Sequence, residues 1–354
     1  MGQKERFMQR CLDLAVLGGG QVSPNPMVGA VIVHEDTILG EGFTSPFGGA
    51  HAEINAIQQV IDRVGENSAS TYFKSSTLYV SLEPCAHFGK TPPCVDRIIE
   101  LGFPSVVVAC QDPFSKVNGL GIRKLRDAGI ETIVGVMEEE AKWLNRRFFT
   151  RLQHARPYVI LKWAETTDGF IAPTHQAQKW ISNKASKQLV HQWRTEEDAI
   201  LVGRNTALID DPELTVRHWR GRNPKRILID RDLDVSAEAK LFSKEAETIV
   251  FNARRTEWNS DLKLIELESF DLYYPEMVLY QLYLMDVQSV IIEGGRGILD
   301  QFIKRNLWDE ARILVGTQRW GEGILAPQIA GECWKEMKVG SDRLRLLRRP
   351  SEIG

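Results

Sequence analysis

The absences in this sequence narrow the field first. Only five cysteines occur in 354 residues, too few for the disulfide framework of a small secreted domain. No run of about 18 uninterrupted apolar residues exists, so no membrane-spanning helix is expected. The opening stretch MGQKERFMQRCLDLA is charged and amphipathic. It lacks the apolar block and small-residue cleavage site of a secretory signal, and Arg6 stands where a myristoylation signal wants Ser or Thr. Net charge is −3 with no long basic run, which speaks against a surface that grips nucleic acid through many phosphates. There is no internal repeat and no low-complexity tract. What remains reads as a cytoplasmic globular chain. In that compartment cysteines stay reduced, and a close Cys pair is more often a metal or catalytic device than a disulfide.

What is present is ordinary in bulk. Hydrophobic residues make up 43 % and charged residues 26 %, enough apolar matter for one or two cores; the length suggests two domains or one large one. Apolar residues Phe7, Met8, Cys11, Leu12, Ala15 and Val16 recur at helical spacing up to the GGG at 18–20. Strands are predicted over 27–33, 37–43, 77–82, 105–110 and 130–136. Helices are predicted over 51–64, 94–102 and 121–129, with one charged helix over 137–149. The polar, basic TRLQHARP (150–157) ends in proline and is taken as a domain boundary. Beyond it, strands over 158–164, 198–205, 226–230, 248–252, 289–295 and 310–316 alternate with helices over 186–195, 277–286 and 298–306. The pattern is α/β with mostly parallel strands. Residues 253–275 have weak pattern.

EPCAHFGKTPPC (83–94) carries two of the cysteines, Cys85 and Cys94, with eight residues between them. A disulfide, a metal site and a buried thiol pair are all open on that stretch alone. His51 opens a predicted helix and Glu53 lies two residues on, while Cys85 follows a strand and Cys94 starts a helix. One imidazole and two thiolates make the three-ligand set of a catalytic zinc, whose remaining position is left to water. Zinc deaminases pair H-x-E with P-C and a second Cys, the Glu shuttling protons without binding metal. A structural zinc would need a fourth ligand, and His87 is the nearby candidate. An HAE on a helix, or a Pro-Cys after a strand, is unremarkable alone; it is the combination that points to zinc. Asn25, held between two prolines in SPNPMVGAV, is either a plain turn residue or an amide aimed at a ring.

The stretches SPNPMVGAVIV, HAEINAI, SLEPCAHFGKTPPC and QDPFSKVNGLGIRKLRDAGI closely resemble the deaminase domain of the bacterial bifunctional riboflavin-biosynthesis deaminase–reductase family. The TPPC form with the wide Cys spacing separates that family from cytidine and tRNA adenosine deaminases. The resemblance implies zinc held by His51, Cys85 and Cys94, with Glu53 as proton shuttle and Asn25 holding the pyrimidine. It assigns His87 and Lys90 only weakly to the substrate. The implied substrate is a 2,5-diamino-6-ribosylaminopyrimidinone 5′-phosphate that loses its ring 2-amino group as ammonia.

The second half has no G-x-G-x-x-G after its first strand, so a Rossmann fingerprint is absent. EGGRG (293–297) lies between a strand and a helix. Backbone N–H groups at such a turn bind phosphate well, although a tight β–α connection explains it too. LKWAETTDGFIA, KWISN and VGRNTALIDDPELTVR (202–217) resemble the dihydrofolate-reductase-like domain of the same family. This implies NADPH and hydride transfer to the ribosyl group to give a ribityl chain. Lys162, Arg194, Leu214, Arg217 and Glu293 match substrate positions, with Lys162 and Glu293 the charged candidates for the acid. Ala164, Trp180, Thr206, Asp210, Gly295, Arg296 and Gly297 match cofactor positions. Without the resemblance, Trp180 would read as core and Arg194 as a solvated helix charge. Gln178 departs from a small hydroxyl residue common in the family. Arg231 is either a partner for a 2′-phosphate or a surface arginine.

The expected architecture is α/β: a cytidine-deaminase-like three-layer domain over 1–150 and a dihydrofolate-reductase-like domain over 157–354. Expected partners are a small pyrimidine ribosyl phosphate and further copies of the chain, as a homodimer or higher homo-oligomer, with no nucleic acid and no membrane. One rival reading is a nucleic-acid base deaminase, such as a tRNA deaminase, with an accessory RNA-binding domain; the charge and the lack of interleaved basic and aromatic runs weigh against it. The other is a non-catalytic zinc module tethering a reductase, for which Glu53 would have no use.

Overall fold

The computed structural model describes residues 2–88, 92–114, 117–174 and 179–350. The chain divides into two compact units, Met1–His154 and Ala155–Gly354. In the first unit α1 (Gln3–Val16) precedes the hairpin of β1 (Gly29–His34) and β2 (Thr37–Phe43). Then come α2 (Ala52–Val64), α3 (Glu66–Phe73), β3 (Thr77–Val80), α4 (Cys94–Leu101) and β4 (Ser105–Val108). α5 (Leu120–Asp127), β5 (Glu131–Val134), α6 (Glu138–Leu144) and α7 (Arg146–His154) complete it. The strands run β2-β1-β3-β4-β5. β1 is antiparallel to both its neighbours, and β3, β4 and β5 are parallel. Residues 29–33 are buried at every position, so both faces of the sheet are covered and the unit has three layers.

Local chemistry sets the elements that carry the candidate site. β2 lies directly on α2. A Cβ at Gly42 would overlap the Ala52 carbonyl oxygen and fall 2.5 Å from Ala56 N, so the helix backbone rests against a strand with no side chain between. The single helix predicted over 137–149 is two helices. Asn145 breaks it because its amide is bound elsewhere: Oδ1 accepts from Met27 N–H at 2.8 Å and Nδ2 donates to Met27 O at 2.8 Å.

The second unit holds β6 (Tyr158–Glu165), β7 (Phe170–Ala172), α8 (Lys184–Glu196), β8 (Ala199–Gly203), α9 (Arg204–Asp210) and β9 (Lys225–Ile229). β10 (Thr248–Asn252), β11 (Glu257–Trp258), β12 (Leu262–Glu266), α10 (Phe270–Leu284), β13 (Ser289–Glu293) and α11 (Arg296–Lys304) follow. β14 (Glu310–Val315), β15 (Ile324–Leu325), β16 (Glu332–Val339) and β17 (Asp342–Arg348) end it. Ten strands form one sheet in the order β11-β12-β10-β9-β8-β13-β6-β14-β17-β16. The seven from β12 to β14 are parallel, as expected. β7 and β15 pair separately. The chain leaves β8 toward β9 on one side and β13 toward β14 on the other. Strand order therefore reverses between β8 and β13, and the crevice beyond the carboxyl ends of such neighbours is where open α/β sheets bind ligands.

α10 starts earlier than 277. Its first turn is kinked at Tyr273, two residues before Pro275, which cannot continue a regular hydrogen-bond ladder. The β16–β17 hairpin has no counterpart among the predicted elements. Most of β16 is solvent-exposed, so it shows no apolar alternation to read.

Candidate functional site: a metal cluster and a glycine-turn crevice

In the first unit, three residues from two helix starts and a loop meet. His51 is the N-cap of α2, Cys94 is the first residue of α4, and Cys85 lies in the loop after β3. Their ligand atoms lie within 4.8 Å of one another. Nδ1 of His51 stands 3.3 Å from the Cys94 sulfur and 3.6 Å from that of Cys85. The backbone N–H of Cys94 donates to the Cys85 sulfur at 3.2 Å. Both helices present their amino ends, where backbone dipoles favour negative charge. A hydrogen bond from the Cys94 thiol, more than that backbone bond, brings the Cys85 thiol down to about 4, while the same thiol–thiol contact and burial push the Cys94 thiol up. One nitrogen and two sulfurs, one of them readily a thiolate, match the donor chemistry of zinc. His87 is not in this group; its ring meets Phe114 edge-on at 5.6 Å. Among the described residues no fourth ligand joins the three.

Glu53 lies in the first turn of α2, is 3 % exposed, and stands beside the cluster without belonging to it. Burial, with the Cys85 charge adding to it, pushes its carboxyl up to about 7. Asn25 is half-buried in the turn before β1, its N–H donating to Val22 O at 2.8 Å. The Asn145 amide fixes that turn through Met27.

Sequence reasoning missed two supports here. Glu83 is buried, and its carboxylate accepts from four backbone N–H groups: Asp112 at 3.1 Å, Gly119 at 2.9 Å, Gly121 at 2.8 Å and Ile122 at 3.2 Å. It thereby caps α5 and ties that helix to the Cys85 loop. Gly121 touches the same loop: a Cβ there would overlap the Pro84 carbonyl oxygen. A carboxylate two residues before Cys85 was the available signal for Glu83. Asn145 had none, because its partner is distant in sequence.

In the second unit, Lys162 on β6 and Glu293 on β13 are register partners. Lys162 Nζ is 3.7 Å and Arg194 Nη2 3.3 Å from Glu293 Oε2. Burial alone would raise the Glu293 carboxyl, but the two cations hold it below the usual range. Arg194 is not a solvated helix charge: it is 8 % exposed and also donates to Thr215 O at 3.0 Å. Leu214 is buried with φ +56°, and Arg217 Nη1 pairs with Glu213 at 2.7 Å.

The β8–β13 crevice gathers another set. α9 starts after Gly203 and α11 after Gly295. The Gly295 N–H donates to Thr206 Oγ1 at 3.2 Å. Gly295, Arg296 and Gly297 are exposed, and a Cβ on either glycine would meet nothing within 4 Å. This open backbone at a helix start suits a dinucleotide phosphate. Asp210 closes α9, half-buried and with its carboxyl raised by desolvation, and Ala164 faces Leu314 across β6 and β14. Trp180 is not core. It is 59 % exposed, with Lys187 Nζ 4.4 Å above its ring and Gln318 bound to its carbonyl. Arg231 is engaged by Asp271 at 2.8 and 2.9 Å and by Asp232 at 2.8 Å. Lys90 and Gln178 lie outside the described residues.

A three-donor cluster beside a buried carboxylate, and a parallel sheet with an open glycine turn at its switch point, define a zinc-type deaminase unit joined to a dihydrofolate-reductase-like unit. Comparison with known proteins agrees. Residues 1–110 match the family described as "Cytidine and deoxycytidylate deaminase zinc-binding region", and residues 157–331 match "RibD C-terminal domain". Riboflavin biosynthesis protein RibD of Aquifex aeolicus is 41 % identical over 90 % of this chain and 88 % of its own length. That of Synechocystis is 40 % identical over 95 % and 88 %. The solved structure of a "diaminohydroxyphosphoribosylaminopyrimidine deaminase/5-amino-6-(5-phosphoribosylamino)uracil reductase" from Thermotoga maritima is 37 % identical. It superposes with a TM-score of 0.88 over 98 % of this chain and 99 % of that one. The chain belongs to the riboflavin biosynthesis protein RibD family.

Proposed function

We propose that this chain catalyses two steps of riboflavin biosynthesis. The first unit hydrolytically deaminates 2,5-diamino-6-(5-phosphoribosylamino)pyrimidin-4-one. The second reduces the ribosyl group of the product to ribityl with NADPH. The observation that carries the reading is the His51–Cys85–Cys94 cluster beside buried Glu53, in a chain alike over nearly its whole length to enzymes of this pair of activities.

His51, Cys85 and Cys94 would hold zinc, whose Lewis acidity makes water nucleophilic near neutral pH. Glu53, with a carboxyl near 7, is poised to take a proton from that water and return it to the departing amine; a group matched to the working pH does both best. Asn25 holds the ring amide. In the second unit the 295–297 turn and Thr206 would hold NADPH, which supplies hydride. Lys162, Arg194, Arg217 and the Leu214 turn hold and orient the ribosyl phosphate. Lys162, paired with Glu293, would serve as the acid for the reduction. We place the protein in the cytoplasm, as a homo-oligomer, acting on a free nucleotide-like substrate and not on nucleic acid; no helix among the described residues is long and apolar enough to cross a membrane.

A coupled assay tests the reading. Purified protein given the diaminopyrimidine should release ammonia and then oxidise NADPH. Ammonia from tRNA, with none from the pyrimidine phosphate, would instead favour the base-deaminase rival.

A further inference from the structure

α8 presents two buried side chains one turn apart toward the segment 214–217. Arg194 donates to Thr215 O at 3.0 Å. His191, 2 % exposed, accepts the Arg217 backbone N–H on Nδ1 at 3.0 Å. Between them the Val216 N–H donates to Asn223 Oδ1 at 2.8 Å. Leu214, at the head of the segment, has the left-handed φ of +56°, a conformation that persists only when its surroundings hold it. Three side chains thus hold three consecutive residues after a strained one.

An imidazole that accepts on Nδ1 carries its proton on Nε2 and is neutral. Around the ring stand Arg194, Arg217 and His218, the last edge-on with centroids 4.7 Å apart, against the one carboxylate of Glu293. Burial, and then the Arg194 charge, oppose a second proton, so the ring stays an acceptor.

We propose that His191 is a positioning residue of the reductase site: its neutral ring anchors the Arg217 backbone and so places the 214–217 segment for the ribosyl phosphate. The inference rests on the reductase reading of residues 155–354. The His191 ring bonds the Arg217 backbone while the 295–297 turn bonds Thr206, so the effect falls on one substrate only.

Two polar variants of the full-length zinc-loaded enzyme test it. His191→Asn sets an amide oxygen near the place of Nδ1. His191→Gln carries it one carbon further, out of register with the Arg217 N–H. Reductase kinetics are measured near neutral pH with the deaminated ribosylaminopyrimidine phosphate. The Gln variant should raise KM for that substrate about tenfold, the scale of one buried backbone group losing its partner. KM for NADPH and ammonia release should stay at the parent level. The Asn variant should lie within about threefold of the parent. Equal KM values for the two variants, or a KM for NADPH that rises in step, would overturn the proposal. A parent enzyme that releases ammonia but never oxidises NADPH would overturn the reductase reading itself, and the inference with it.

Discussion

Glu53 illustrates what one carboxyl can be asked to do. It is buried, raised to about 7, and placed beside three metal-type donors without joining them. Glu53→Gln keeps the shape and a hydrogen bond but accepts no proton. Ammonia release should fall about 10²–10⁴-fold, with zinc content by elemental analysis equal to the parent's and NADPH oxidation on supplied intermediate unchanged. Loss of zinc in this variant would make Glu53 a ligand. His191 yields a prediction of opposite character. Burial, with the Arg194 charge next, holds its ring down to about 3, below the ordinary 6.5. The unfolded chain therefore takes up a proton near 6.5 that the folded chain refuses. The stability due to a neutral ring is complete above that pH and is lost as pH falls from there toward about 3. On acidification from neutrality to about pH 5, the melting temperature of the parent should fall more steeply than that of His191→Asn. Parallel slopes would show that the ring protonates freely. These two residues also mark what a sequence discloses. His51, Glu53, Cys85 and Cys94 were legible because few chemistries use those types at that spacing. His191 was not, because a neutral histidine accepting from a backbone N–H 26 residues away leaves no local pattern.

At the level of elements, the support of the Cys85 loop lies in α5 rather than in the loop itself. Glu83→Gln leaves one acceptor oxygen where four N–H groups now share two. Bonds to a charged acceptor contribute about 1.5–3 kcal/mol each, so a loss of at least ~3 kcal/mol is expected. It should be read as a lower urea midpoint for the first unit, with the second unit's transition unmoved. Gly121→Ala should cost about 1–3 kcal/mol in the same unit, the usual penalty for overpacking, and should also weaken zinc retention during dialysis. A variant as stable as the parent would show that the Pro84 carbonyl can yield. Elements with a clear apolar pattern were readable: α2, α4, α5 and the parallel strands other than β12 fell close to their predicted places, while β12 lies in the stretch of weak pattern. Those that depend on distant partners were not. The break between α6 and α7 follows from the Asn145–Met27 bonds, and exposed β16 carries no apolar alternation.

For the whole molecule, each unit has a hydrophobic core of its own, one spanning Phe7 to Phe149 and another Val159 to Leu347. Stripping the metal with a chelator should abolish ammonia release and leave NADPH oxidation on supplied intermediate intact, and added zinc should restore the first activity. Loss of both activities together would mean that the units do not work independently. The two-part α/β plan was visible in the sequence, since periodicity reports which residues are buried. The reversal of strand order between β8 and β13 was not, because strand order is decided by pairings that no single stretch contains.

The bare contact between Gly42 and α2 bears on how this enzyme tolerates change. The helix that carries His51 and Glu53 is spaced from the sheet by main chain, whose dimensions no substitution elsewhere alters. Random mutagenesis scored for ammonia release should therefore find the apolar residues of α2 permissive toward similar side chains. Position 42 should accept glycine alone, and even alanine there should lift the His51 end of the helix away from Cys85 and Cys94.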